Sequence, residues 1–97
     1  MDLSIEKTPV EGGWHLRLVV SIDRRETSDL FLAGDALVSW PTEGMRAAGT
    51  GPIERSSMFL SEIVSRQGGL QLTYDTEESA DRTAKILEFQ VRTAIER

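Results

Sequence analysis

The stretch Leu70-Gln71-Leu72-Thr73-Tyr74-Asp75-Thr76, running on into Glu77–Arg97, decides how the chain is read. Its first five residues alternate, with Leu70, Leu72 and Tyr74 on one side and Gln71 and Thr73 on the other, which is the period of a strand with one buried face. Asp75 or Thr76 then supplies an N-cap, because a short side-chain oxygen there accepts from an N–H that the first helical turn leaves unpaired. Glu77, Glu78 and Asp81 follow at the positive end of the helix dipole, and Arg92 and Arg97 sit at the negative end. At 100° per residue, Ala80, Ala84, Leu87, Val91, Ala94 and Ile95 form the main apolar stripe. Ile86 and Phe89 lie on a second flank, so this helix carries more apolar surface than one sheet face covers.

Upstream, Trp14, Leu16, Leu18, Val20 and Ile22 alternate with His15, Arg17, Val19 and Ser21, the strongest strand pattern in the chain. Leu3 and Ile5 alternate with Ser4 and Glu6 before Pro9 and Gly12-Gly13 interrupt them. The connection 9–13 is short enough for a hairpin, so these two strands should pair antiparallel. Thr27 or Ser28 reads as the cap of a helix beginning at Asp29. Leu30–Trp40 is apolar on nearly every side and fits either a buried helix or two short strands joined at Gly34-Asp35. The Gly-Asp dipeptide, a good two-residue hairpin loop, tips the reading toward strands. Residues 41–51 read as a loop, and Pro52, suited to the first helical position, opens a helix over Pro52–Gln67 with Ile53, Leu60, Ile63 and Val64 inward and Met58 outward. Gly68-Gly69 ends it.

The fold these elements predict is α+β, an antiparallel sheet with two helices packed on one face, in the order β-β-(β-β or α)-α-β-α. A chain of 97 residues with 39% hydrophobic and 28% charged residues suits one domain over 1–97. It has no cysteine, which removes disulfides, thiolate zinc sites and cysteine nucleophiles together. The N-terminus shows no signal-peptide pattern and no window is apolar enough to span a bilayer, so the expectation is a cytoplasmic protein. The formal charge of −5 disfavours direct binding to nucleic acid or an anionic membrane and favours a protein partner with a basic surface. Arginine outnumbers lysine nine to two and asparagine is absent, a composition associated with GC-rich bacterial or phage genomes.

No residue set reads as catalytic. His15 is the only histidine and sits on the polar side of its strand, without the partners a hydrolytic relay needs. The clustered carboxylates Asp23/Glu26 and Glu77/Glu78/Asp81 stand beside arginines or at helix starts and match no calcium-loop spacing, so neither a metal nor a cofactor is expected. The glycine-rich run before Pro52, with Arg46, Gly49, Thr50 and Gly51, is a candidate anion site, since glycines ahead of a helix can turn N–H groups toward a phosphate. It lacks the Lys-Ser/Thr of a phosphate loop. The partner-binding candidates are Ile86, Phe89, Thr93 and Glu78, around the surplus flank of the last helix.

Three functions follow as expectations. The first is a small acidic non-enzymatic inhibitor, immunity or adaptor protein that occludes a partner surface. The second is a homodimeric chaperone-type or structural subunit, and the third is an anion- or nucleotide-binding module at the glycine-rich loop.

Overall fold

The computed structural model of the chain describes residues 1–46 and 56–96. Strand β1 (Asp2–Val10) turns through Glu11 and Gly12 into β2 (Gly13–Ser21), in unbroken antiparallel register from Asp2 opposite Ser21 to Val10 opposite Gly13. The hairpin loop is therefore tighter than the expected 9–13 connection, and Pro9 lies inside the strand. β1 is an edge strand, where one row of N–H groups has no partner, so a residue without an N–H is tolerated there.

Strand β6 (Leu70–Tyr74) pairs with the other side of β2, and the two-residue β4 (Met45–Arg46) completes the antiparallel order β1-β2-β6-β4. Register places Leu18 opposite Leu70, Leu16 opposite Leu72 and Trp14 opposite Tyr74, so the alternation of each strand builds one shared apolar face. The closing helix α3 (Glu77–Ile95) packs on that face with Ala80, Thr83, Leu87 and Val91 buried. Its cap is Thr76, whose hydroxyl accepts from the Ser79 N–H at 3.1 Å. Lys7 falls on the same face at the edge strand, where its ammonium reaches Asp81 at 2.6 Å and Glu77 at 3.3 Å and stands 5.2 Å from the Trp14 ring centre. The Asp81 hydrogen bond, foremost, holds the Lys7 pKa above its ordinary value. An inward lysine and a proline both blunt an edge strand against pairing with another chain.

The stretch Leu30–Trp40 is neither the helix nor the hairpin expected. Helix α1 (Arg24–Leu32) starts earlier than Asp29, because Asp23 caps it: the Asp23 carboxylate accepts from the Glu26 N–H at 2.8 Å and the Glu26 carboxylate accepts from the Asp23 N–H at 3.1 Å. This reciprocal box pairs two otherwise orphaned donors. Gly34, at φ +88°, ends the helix: the Gly34 N–H donates to the Phe31 carbonyl at 3.1 Å and the Asp35 N–H to the Leu30 carbonyl at 2.8 Å. That pair of bonds requires a left-handed residue, which glycine adopts without steric cost. The glycine is thus a helix stop, and the chain leaves it as strand β3 (Leu37–Ser39).

The expected helix over Pro52–Gln67 is likewise corrected. Residues 52–55 lie outside the described residues, Ser57–Phe59 form strand β5, and only Leu60–Ser65 form a helix, α2. β3 and β5 make a separate two-stranded sheet with Val38 opposite Met58. Met58, expected to face outward, is buried beside Val38, because a strand turns residues 57–59 by 180° steps and not 100° steps. Among the described residues three helices, not the two expected, accompany the sheets, and the class is α+β as expected. The core joins Leu16, Leu18, Val20, Leu70, Leu72 and Tyr74 of the large sheet to Val38, Trp40 and Met58 of the small one and to Leu30, Leu60, Ile63, Leu87 and Val91 of the helices.

Candidate functional site

Among the described residues the large apolar side chains left in water are Val10, 42% exposed, Phe31, 65%, Leu32, 87%, Leu37, 59%, Phe59, 51%, and Phe89, 70%. Three of them are linked in space through Leu37. Leu37 and Phe59 are opposite partners in the small sheet, on the face away from buried Val38 and Met58. Leu37 and Phe89 line one hollow of about 260 Å³ whose other walls are Asp35, Ala36, Gln90, Thr93 and Ala94. Ala94 also borders a second hollow, of about 320 Å³, with Leu30, Leu32, Ala33, Ile95, Glu26 and Asp29 around it. The result is an apolar surface of Phe59, Leu37 and Phe89 along the seam between α3 and the small sheet, with Leu32 of α1 in the neighbouring hollow that shares Ala94.

Two polar devices fix this seam. The Gln90 amide reaches from α3 to the outer edge of β3, where its Nε2–H donates to the Ser39 carbonyl at 2.5 Å and its Oε1 accepts from the Ser39 N–H at 2.9 Å. One side chain thereby takes the place of the next strand's peptide group and locks helix to sheet. Asp35, at φ +68°, accepts from the Ala36 N–H at 2.7 Å, from the Ser61 N–H at 3.2 Å and from the Ser61 hydroxyl, tying the start of β3 to α2. Burial pushes the Asp35 carboxyl pKa up, but the hydrogen bonds from Ser61 and Ala36 outweigh it and hold the group below its ordinary value.

Among the residues singled out from sequence, Phe89 and Thr93 share the first hollow. Ile86 is half-buried beside Gln90, one turn closer to the helix start. Glu78 is elsewhere: it pairs with Arg82 at 3.4 Å and lines a charged hollow with Glu77, Asp81 and Lys85, about 16 Å along the helix from Phe89. The seam's other half, Leu37, Phe59 and Leu32, escapes sequence reading. Leu37 and Phe59 meet only because β5 is a strand, and a helix through residue 59 gives no reason to pair them.

Gly49, Thr50 and Gly51 lie outside the described residues. Arg46 donates to the Glu11 carbonyl at 3.0 Å and faces Asp75 at 3.6 Å, so its charge is engaged at the mouth of the β1–β2 hairpin. His15 lies on the polar face of the large sheet, its Nδ1 3.0 Å from the Thr73 hydroxyl and its Nε2 3.2 Å from the Gln71 amide oxygen. This is a cross-strand polar ladder on an open surface. Among the described residues no group of three or more metal-ligating side chains converges, and no helix is long and apolar enough to cross a membrane.

The molecule is thus an α+β protein whose most distinctive surface is an apolar seam with carboxylates at its rim. No protein-family model matches the chain, and comparison with curated proteins and with solved structures finds no match.

Proposed function

We propose that the chain is a small acidic, non-enzymatic protein-binding factor of the inhibitor, immunity or adaptor kind, acting by laying the Phe59–Leu37–Phe89–Leu32 strip over a site on its partner. The observation that carries this reading is the exposure of those side chains on adjoining elements, each with more than half its surface in water. Apolar surface covered on association contributes about 25 cal/mol per Å² removed from water, and contiguous patches of this kind mark interaction sites more often than scattered single residues do. The mechanism is steric: a partner site so covered is closed to its own ligand, while the charge of −5 steers the encounter. The cysteine-free, arginine-rich composition supports a reducing bacterial or phage-infected cytoplasm as the setting.

The test is a pull-down in which wild type, the Leu37→Ser/Phe89→Ser pair and Glu78→Gln are used side by side. Proteins held by wild type and by Glu78→Gln but released by the seam variant support the reading. Identical capture by all three removes it. Each exposed-site change should cost within about 0.5 kcal/mol of stability, so loss of capture would not reflect unfolding.

A homodimeric subunit joined through the same strip is the second reading, supported by the same exposed side chains. It predicts a sedimentation mass that doubles with concentration and stays single in the seam variant.

A further inference from the structure

Resting on the apolar-seam reading, we propose that the occupant of this seam is a basic amphipathic segment of another protein, with an apolar side chain seated in the Leu37–Phe89 hollow and a lysine or arginine in the neighbouring hollow at Asp29. The two hollows meet at Ala94, so one short segment spans both. Their chemistry differs. The first has Leu37, Phe89 and Ala36 for walls, and its carboxylate, Asp35, is already saturated by Ser61 and the Ala36 N–H. It suits a side chain without charge.

The second hollow has an apolar floor of Leu30, Leu32 and Ile95 and two carboxylates at its rim. Glu26 is taken, by the Asp23 N–H and by the Met1 amine at 3.1 Å. Asp29 has no hydrogen bond or ion pair to its carboxylate among the described residues. An unpaired carboxylate over an apolar floor suits a side chain with an aliphatic stem and a cationic head. Arg92 on α3 is paired with Glu88 at 3.1 Å, and Arg25, one turn before Asp29 on α1, makes no ion pair with it among the described residues.

Charge decides among the possible occupants. A second copy would bring the same acidic rim and another −5 against this one, and like charges facing across an interface cost affinity. An anionic membrane would be repelled in the same way. A basic segment has its apolar side covered and its cations matched.

The experiment uses two fluorescein-labelled 14-residue peptides with leucine at helical i, i+3, i+4 spacing, one with lysine at the polar positions and one with glutamate, titrated with the full chain by anisotropy. The leucine/lysine peptide should bind and the leucine/glutamate peptide should not. Phe89→Ser should weaken binding at least about tenfold and Asp29→Asn about three- to tenfold, while Glu78→Gln, which removes the same charge at the far end of α3, should leave it unchanged. Equal losses in Asp29→Asn and Glu78→Gln would mean diffuse charge attraction and overturn the proposal. A leucine/glutamate peptide that binds as well and is lost in Phe89→Ser overturns the basic occupant while leaving the apolar seam standing. Binding of neither peptide, or binding indifferent to Phe89→Ser, overturns both, and a concentration-dependent dimer abolished by Phe89→Ser assigns the seam to a second copy instead.

Discussion

At the scale of single residues, Asp35 shows how one side chain can hold a junction. It occupies a left-handed conformation that costs a non-glycine residue about 1 kcal/mol or more, and its carboxylate recovers that through bonds to Ala36 and Ser61. Its pKa in the folded chain lies below the ordinary value of 3.8. A depressed carboxyl pKa adds stability that is present above the unfolded value and is lost as pH falls through the folded one. Asp35→Asn keeps the left-handed preference and one acceptor oxygen but removes the charge. It should cost about 1–2 kcal/mol at pH 7, with the gap to wild type closing below pH 4, as read by urea unfolding at a series of pH values. A gap of the same size at pH 2.5 would show that the charge of Asp35 contributes nothing. The strained junction itself is invisible in sequence, because Gly34-Asp35 fits a hairpin loop as well as a helix stop. The choice is made by which carbonyls lie within reach.

At the scale of elements, the close approach of β2 to the start of β6 depends on Gly69. It sits at φ +70°, and a Cβ there would stand 2.0 Å from the Leu18 carbonyl oxygen. Gly69→Ala should therefore cost at least about 3 kcal/mol by separating two strands that carry much of the core. Gly34→Ala has the same backbone penalty with open space around it, and should cost only about 1–2 kcal/mol. Denaturant midpoints of the two variants measure the difference directly, and equal losses would remove steric contact as the cause. β1, β2, β6 and α3 were legible because each has one inward face and a pattern of 2.0 or 3.6 residues that survives burial, whereas the two-residue β4 falls in the stretch 41–51 read as a loop and is too short to show a period. α1 was legible only in part: a helix was expected from Asp29, but its start rests on the Asp23–Glu26 box, and Leu30 is its only buried residue. β5 was hidden by its neighbours: Leu60 and Ile63 continue a helical stripe that Met58 and Phe59 do not share.

At the scale of the whole molecule, charge and exposed apolar surface are divided between tasks. In the proposed function the apolar strip supplies contact area near the end of α3, and the −5 charge acts at a distance on the approaching partner. Raising ionic strength from about 0.01 M to 0.15 M shortens the screening length from about 30 Å to about 8 Å. The association rate of the leucine/lysine peptide should then fall at least about fivefold while its dissociation rate changes by less than about twofold, as stopped-flow anisotropy would show. A salt effect confined to dissociation would place the charge within the contact and not in the approach.

The sequence by itself determined the α+β class, the paired β1–β2 hairpin, the inward faces of β2 and β6, and the amphipathic α3 with a surplus flank at Phe89. Each is a local periodicity that holds whatever the element packs against. Only the tertiary structure decided that the chain after Asp35 runs as strand β3, that residues 57–59 pair with it, and that Leu37 and Phe59 gather beside Phe89 with Leu32 in the next hollow. Those outcomes rest on hydrogen bonds and contacts between residues distant in the chain, such as Gln90 on Ser39 and Asp35 on Ser61, which no local pattern encodes.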